Sequence, residues 1–201
     1  MIALLLALEL LLAAPGQPGA EAHLVAGARA FREAHYAAAL VEFRVAQALG
    51  ASEAASYAAA SLVKLGRAEE AVEVFAEAHE AGDDAVLGYY RAIACYDARL
   101  YLCADRLLGE VAERAGPRIA EQVRKARAAI AVELSREPAR ASVDWFLARC
   151  DERRVEGRTA LAGAYCDEAV ALAGRRADRY RLTEAAAQRA GLPARPAGSP
   201  R

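Results

Sequence analysis

The chain has 201 residues and a formal net charge of −1, so it is neither uniformly basic nor uniformly acidic, and it is long enough for one domain or a short array of repeats. It contains 54 alanines and no asparagine, and only Pro117 and Pro138 interrupt the stretch from His23 to Ala190. Alanine is the strongest helix former, and no segment alternates apolar with polar residues as a strand would. The composition therefore excludes a β-rich protein and predicts an all-α fold.

Residues 1–22 begin with an apolar run, MIALLLALELLLAA, followed by a segment rich in proline and glycine. This layout is typical of a secretory signal peptide cleaved near Ala22, and it predicts an exported protein in the periplasm or outside the cell. No Lys or Arg precedes the run, Glu9 lies inside it, and the run is too short to cross a bilayer as a helix. The alternatives are a buried N-terminal helix and a cytoplasmic protein with a misassigned start codon.

A pattern of small and aromatic residues then recurs after 32 residues. The aligned residues are Ala39, Phe43 and Ala46 in the first copy, and Ala71, Phe75 and Ala78 in the second. Upstream, Gly27 aligns with Ala59 at the same offset, and a third copy starts at Ala85 with Ala104 and Leu108 in the corresponding positions. The pattern predicts helical hairpins whose helices touch through small residues and which stack to complete a common core.

This pattern resembles the tetratricopeptide repeat family, whose unit of about 34 residues contains two helices. The small residue of the first helix, the alanine that opens the second, and the aromatic four positions later all match, although the family's proline near the end of each unit is absent. The resemblance covers residues 20–113. It implies three stacked hairpins over residues 23–113, in a right-handed α-solenoid that works as a non-catalytic scaffold for protein partners.

The resemblance also implies a groove lined by the first helices of successive units, in which peptides bind. The residues that it places there are Phe31, Arg32, Val63, Lys64, Tyr89, Tyr96 and Asp97. Basic residues beside apolar ones suit a peptide that carries an acidic side chain or a free carboxylate. The alternative is that these are ordinary packing and surface residues.

Residues 114–190 follow a different pattern. Pro117 suits the first turn of one long helix that ends before Pro138, and a degenerate fourth hairpin turns at Gly157. A capping helix follows from about Arg175 to Ala190, and residues 191–201 are predicted to be a disordered tail.

The four cysteines form two pairs, each of which straddles a predicted turn almost symmetrically. Since residues equally distant from the turn of an antiparallel hairpin face each other, the spacing predicts Cys95–Cys103 and Cys150–Cys166 disulfides in an oxidising compartment. The alternative is four buried free thiols. The spacings do not suggest a zinc site, and we predict no metal or other cofactor.

Catalytic motifs are missing, since the sequence has no glycine-rich phosphate loop, no nucleophile elbow and no paired histidine motif. We therefore predict that the protein is not an enzyme; a thiol-active or hydrolytic enzyme would need a low-pKa cysteine or a cleft that the sequence does not reveal.

Charge is unevenly distributed, with a net of −6 over residues 21–84 and of +7 over residues 114–201. Because the arginines of the basic half alternate with acidic residues, we predict a salt-bridged surface and no nucleic-acid partner. The sequence predicts a protein or peptide partner and no stable membrane span after signal cleavage, and it leaves a homo-oligomer open. The predicted function is that of an exported adaptor in a bacterial cell-envelope assembly, with a cytosolic interaction module as the alternative.

Overall fold

The computed structural model describes residues 19–78, 84–135, 140–175 and 179–191. These ranges are helical and contain no strand, which confirms the all-α prediction. Their ten helices are α1 (Ala20–Arg32), α2 (Tyr36–Ala48), α3 (Ala54–Lys64), α4 (Ala68–Glu77), α5 (Ala85–Asp97), α6 (Tyr101–Ala112), α7 (Pro117–Ser135), α8 (Arg140–Val155), α9 (Thr159–Arg175) and α10 (Arg179–Ala190). None of them is long and apolar enough to cross a membrane.

The predicted signal peptide and the predicted tail fall mainly on residues 1–18 and 192–201, which lie outside the described residues. The predicted cleavage position near Ala22 lies within the first turn of α1. There Ala20 is buried against Ala46 on α2, Ala51 in the following turn and Ala54 on α3.

Consecutive helices pack in pairs from α1 to α7, and α8, α9 and α10 do the same. Within the first seven helices, two further contacts skip one helix, since α3 packs against α5 and α5 against α7. A helix that contacts both members of the preceding pair closes the core between pairs, because a single hairpin leaves one apolar face uncovered.

The turns after α1, α3, α5 and α8 share one geometry, and the turn after α2 is similar, with Gly50 at φ 95° and Ala51 donating its N–H to the Ala46 carbonyl. The residue in the left-handed conformation is Ala34 (φ 61°), Gly66 (φ 72°), Arg99 (φ 64°) and Gly157 (φ 76°). The next residue in each turn donates its backbone N–H to the carbonyl five positions earlier: His35 to Ala30, Arg67 to Leu62, Leu100 to Cys95 and Arg158 to Arg153. This is the Schellman arrangement, which satisfies the last carbonyls of the first helix. The recurring sequence pattern therefore corresponds to a recurring local structure, which α8 and α9 also adopt.

Small residues recur where the second helix of each pair meets the first. Ala39, Ala71, Ala104 and Ala162 each follow a turn and are fully buried. The residue four positions later is also buried and larger: Phe43, Phe75, Leu108 and Cys166. The alanine allows the two backbones to approach closely, and the larger side chain fills the space beyond that contact.

The pair formed by α8 and α9 lies beside the earlier helices. Helix α9 packs against α4 and α6, the second helices of two preceding pairs, and α10 packs against α8 and α9. The C-terminal part of the chain therefore covers one side of α4 and α6.

Candidate functional site

Three of the predicted groove residues, Phe31, Lys64 and Tyr89, lie together with two further tyrosines, Tyr36 and Tyr90. The ring centroid of Phe31 is 5.2 Å from that of Tyr36 and 5.7 Å from that of Tyr90. The Lys64 Nζ atom lies 5.4 Å from the ring centroid of Tyr90 and 5.9 Å from that of Tyr36. The ring of Tyr89 is 6.0 Å from that of Tyr90. We call these five residues the aromatic–lysine cluster.

The cluster presents a positive charge beside apolar rings. Its four aromatic side chains are half-buried, whereas Lys64 is exposed. Among the described residues no carboxylate lies within ion-pair distance of Lys64, so the π-faces of two tyrosines are its nearest favourable partners. Burial raises the pKa of Tyr89, the positive charge of Lys64 opposes that rise, and the charge of Asp97 adds to it. The Tyr89 hydroxyl group therefore stays protonated and can donate a hydrogen bond.

The other predicted groove residues lie elsewhere or are not available to a ligand. Val63 belongs to the hydrophobic core, so its side chain does not line a surface. Arg32 is exposed at the end of α1, and the ring of Tyr96 packs 5.6 Å from that of Tyr101. Asp97 lines a cleft beside α8 and α9, where its partial burial raises the pKa of its carboxyl group.

Sequence reasoning missed two members of the cluster, Tyr36 and Tyr90. Tyr36 is the first residue of α2, whereas the family resemblance assigned the groove to first helices such as α1 and α3. Tyr90 follows the predicted Tyr89, but adjacent residues of a helix point about 100° apart. Only the packing of α5 against α3 decides which of them meets Lys64.

A cleft of about 550 Å³ opens where the turns after α3 and α5 meet α8 and α9. Its charged lining side chains are Arg67, Glu69, Glu70, Asp97, Arg99, Arg149, Arg153 and Arg158, and its aromatic ones are Trp145 and Tyr165. We call this region the arginine cleft. The sequence predicted a salt-bridged basic half but did not indicate a cleft.

Glu69 is the centre of the ion-pair network in the arginine cleft. It accepts a hydrogen bond from the Tyr165 hydroxyl at 2.8 Å and from Arg153 Nη2 at 3.1 Å, and Arg158 lies 3.2 Å away. Burial by itself would raise the pKa of Glu69, but the hydrogen bonds from Tyr165 and Arg153 outweigh it and lower that pKa. Burial and the hydrogen bond to Glu69 raise the pKa of Tyr165.

Most arginines of the cleft already interact with other side chains of the protein. Arg67 pairs with Glu70, and Arg158 pairs with Glu73 on α4 at 2.9 Å. Arg149 lies over the ring of Trp145, with its guanidinium carbon 5.2 Å from the centroid. Since these groups already have partners within the protein, we interpret the arginine cleft as a structural contact that holds α8 and α9 against α4.

The two cysteine pairs differ in the structure. Cys150 and Cys166 form a disulfide between α8 and α9, with their Cα atoms 5.3 Å apart. Cys95 and Cys103 are free, and their Sγ atoms lie 2.6 Å apart across the turn between α5 and α6. The Cys150–Cys166 bond is the one that the spacing predicted, whereas the predicted Cys95–Cys103 disulfide is not formed, although the two cysteines face each other across their turn.

Comparison of the chain with models of protein families, with curated proteins and with solved structures gave no match. The function is therefore inferred from the arrangement of the side chains.

Proposed function

We propose that the protein is a short α-solenoid of tetratricopeptide type that acts as a non-catalytic scaffold. Its ligand would be a peptide segment that carries an acidic side chain or a free C-terminal carboxylate next to an apolar residue. The observation that carries this proposal is the exposed ammonium group of Lys64, held over two tyrosine rings without a carboxylate partner among the described residues.

Several features of the fold support a repeat scaffold. The turns at Ala34, Gly66 and Arg99 recur at offsets of 32 and 33 residues with the same backbone conformation. The first helices α1, α3 and α5 each contribute a side chain to the aromatic–lysine cluster, so one ligand could contact three successive units. In repeat proteins of this kind, each unit contacts only its neighbours and the aligned faces create an extended binding surface.

The chemistry of the cluster suits a carboxylate beside an apolar group. A carboxylate that approached Lys64 would gain an ion pair and could accept hydrogen bonds from tyrosine hydroxyl groups. An apolar side chain of the same peptide could pack on Phe31 and on the tyrosine rings, which are rigid and bury large areas at low entropic cost.

The test is selection of a bead-bound library of random heptapeptides, made once with free C-termini and once with C-terminal amides. The full chain should enrich peptides that combine an acidic group with an aromatic or aliphatic residue. Lys64→Met should lose that enrichment, because it removes the charge and keeps most of the side-chain volume.

The second lysine of the chain, Lys125, provides the matched control. It lies exposed on α7, where it pairs with Glu121 at 3.5 Å. Lys125→Met should select the same peptides as the unchanged protein. Equal enrichment by Lys64→Met and the unchanged protein would contradict the proposed site. Enrichment from both libraries would indicate an acidic side chain, and enrichment only from the library with free C-termini would indicate a terminal carboxylate.

We also propose that the protein is exported and serves as an adaptor in a bacterial cell-envelope assembly. The Cys150–Cys166 disulfide supports this proposal, because disulfides persist mainly in oxidising compartments. Intact mass after expression with the native N-terminus should show loss of about the first twenty residues. A full-length chain with all four cysteines free to react would favour the cytosolic alternative.

A further inference from the structure

The free cysteines Cys95 and Cys103 are poised to form a bond. Their Sγ atoms are 2.6 Å apart, so closing a disulfide of about 2.05 Å requires a movement of only about half an ångström. Both side chains lie next to the turn at Arg99, where Leu100 donates its N–H to the Cys95 carbonyl. The hydrogen-bonded turn places the two sulfur atoms next to each other.

The two thiols have different surroundings. Cys95 is buried in α5, whereas Cys103 is only partly buried and lies in the first turn of α6. At the N-terminal end of a helix, the helix dipole favours the thiolate form of a cysteine. The hydrogen bond between the two sulfur atoms lowers the pKa of Cys103 and raises that of Cys95. The more accessible sulfur is therefore also the better nucleophile.

A buried carboxyl group from α9 completes the site. Glu168 is 3% exposed and accepts hydrogen bonds from the backbone N–H groups of Leu102 at 2.8 Å and Cys103 at 3.1 Å. It thus caps α6, whose own N-cap residue, Leu100, has no side chain that can do so. Burial raises the pKa of Glu168 from its ordinary value of 4.5 to about 7.

We propose that Cys95 and Cys103 form a reversible thiol–disulfide exchange site for aliphatic disulfides, with Cys103 as the attacking sulfur and Cys95 as the resolving one. The Cys103 thiolate attacks one sulfur of the external disulfide, which forms a mixed disulfide and releases a first thiolate. Cys95 then loses its proton to solvent and attacks the Cys103 sulfur, which releases a second thiolate. The two thiolates take up two protons, so the cysteine pair is oxidised and the external disulfide is reduced.

The charged groups around this site come from three helices. Arg91 on α5 and Arg106 on α6 favour the thiolate form of Cys103, whereas the charge of Glu168 on α9 disfavours it. Because Glu168 and the thiolate repel each other, each holds the other closer to its protonated form. Glu168 is therefore a positioning residue that raises the pH at which Cys103 becomes reactive.

The first experiment incubates the reduced full chain with glutathione disulfide, followed by acid trapping and peptide mass mapping. Cys95→Ser should accumulate a glutathione adduct on Cys103, because the resolving sulfur is missing. Cys103→Ser should leave Cys95 modified about tenfold more slowly, since that thiol is buried and has a raised pKa. Equal rates in the two variants, or no intramolecular disulfide in the unchanged chain, would overturn the proposal.

The second experiment separates the role of Glu168 from a purely structural one. In the Cys95→Ser background, Glu168→Gln should shift the alkylation of Cys103 toward lower pH, because the substitution removes a nearby negative charge. A merely structural role for Glu168 would change the folded fraction but not the pH midpoint of alkylation. An unchanged midpoint would thus overturn the assignment of Glu168.

The pair Cys150 and Cys166 is the internal control in both experiments. Both residues are fully buried, so an external thiol cannot reach their sulfur atoms without local unfolding. In buffers of reduced and oxidised glutathione, Cys95–Cys103 should switch reversibly while Cys150–Cys166 stays bonded. If both pairs opened together, the exchange would reflect unfolding and the proposed site would be wrong.

Discussion

Arg158, in the turn between α8 and α9, donates two hydrogen bonds to the carboxylate of Glu73 on α4, from Nε at 3.0 Å and from Nη2 at 2.9 Å. The residues are 85 positions apart in the chain, and their side chains are 25% and 21% exposed. This partly buried ion pair joins the C-terminal helices to the middle of the array.

Arg158→Ala should lower the free energy of unfolding by about 2 kcal/mol, because it leaves Glu73 partly buried without its charged partner. Chemical denaturation would measure the change. Arg154→Ala is the control, since Arg154, near the end of α8, is exposed and pairs with Asp151 on its own helix; that change should cost less than about 0.5 kcal/mol. Equal losses in the two variants would show that the pair does not join the helices.

Gly27 should tolerate no side chain, because it contacts the buried ring of Phe43. A Cβ atom at this position would lie 2.7 Å from Phe43 Cε1, so Gly27→Ala should destabilise the protein by about 2 kcal/mol. Gly109 on α6 has no atom within 4 Å of such a Cβ, and Gly109→Ala should stabilise by about 1 kcal/mol through helix propensity. Thermal denaturation of both variants checks the contrast, and a stabilising effect at both positions would contradict the close contact.

The repeated turns predict a reciprocal pair of substitutions. Ala34 adopts φ 61°, a left-handed conformation that costs free energy for alanine but not for glycine. Ala34→Gly should therefore raise the free energy of unfolding by about 0.5 kcal/mol. Gly66 adopts φ 72° in open space, so Gly66→Ala should lower it by about 1 kcal/mol through backbone strain alone. Urea titrations of the two variants should therefore move their midpoints in opposite directions, and shifts of the same sign would argue against a shared turn.

Glu168 should make stability fall as pH rises. Its folded-state pKa of about 7 exceeds the ordinary value of 4.5, so the folded protein binds this proton more tightly than the unfolded chain. The resulting stabilisation is fully present below about pH 4.5 and is lost by about pH 7. Relative to Glu168→Gln, the unchanged protein should lose about 3 kcal/mol of unfolding free energy across that range. Unfolding curves collected at several pH values provide the comparison, and parallel profiles for the two proteins would contradict a raised pKa.

Local signals were sufficient for the helices and for the pairing of cysteines. The recurrence of Ala39 and Phe43 at Ala71 and Phe75 predicted helix pairs, because the apolar period along a helix is visible in the sequence itself. The symmetry of Cys95 and Cys103 about their turn predicted that they face each other, because residues equally distant from the turn of an antiparallel hairpin lie opposite one another.

The candidate site could be predicted only in part. Phe31, Lys64 and Tyr89 were identified from the family resemblance, but Tyr36 and Tyr90 were not, because the rotation of α5 against α3 sets which rings meet the lysine. Val63 was assigned to the groove and lies in the core, since one position along a helix changes the direction of a side chain by about 100°.

The amino-acid sequence by itself determined the helices, their turns and the facing cysteines, because these depend on residues close together in the chain. The tertiary structure alone decided that α9 packs on α4 and α6, that Arg158 meets Glu73, and that Glu168 caps α6. The hydrogen bonds of Arg158 and Glu168 join residues more than 60 positions apart. No local period encodes such contacts, since their partners are selected by the packing of complementary surfaces and charges after the helices have formed.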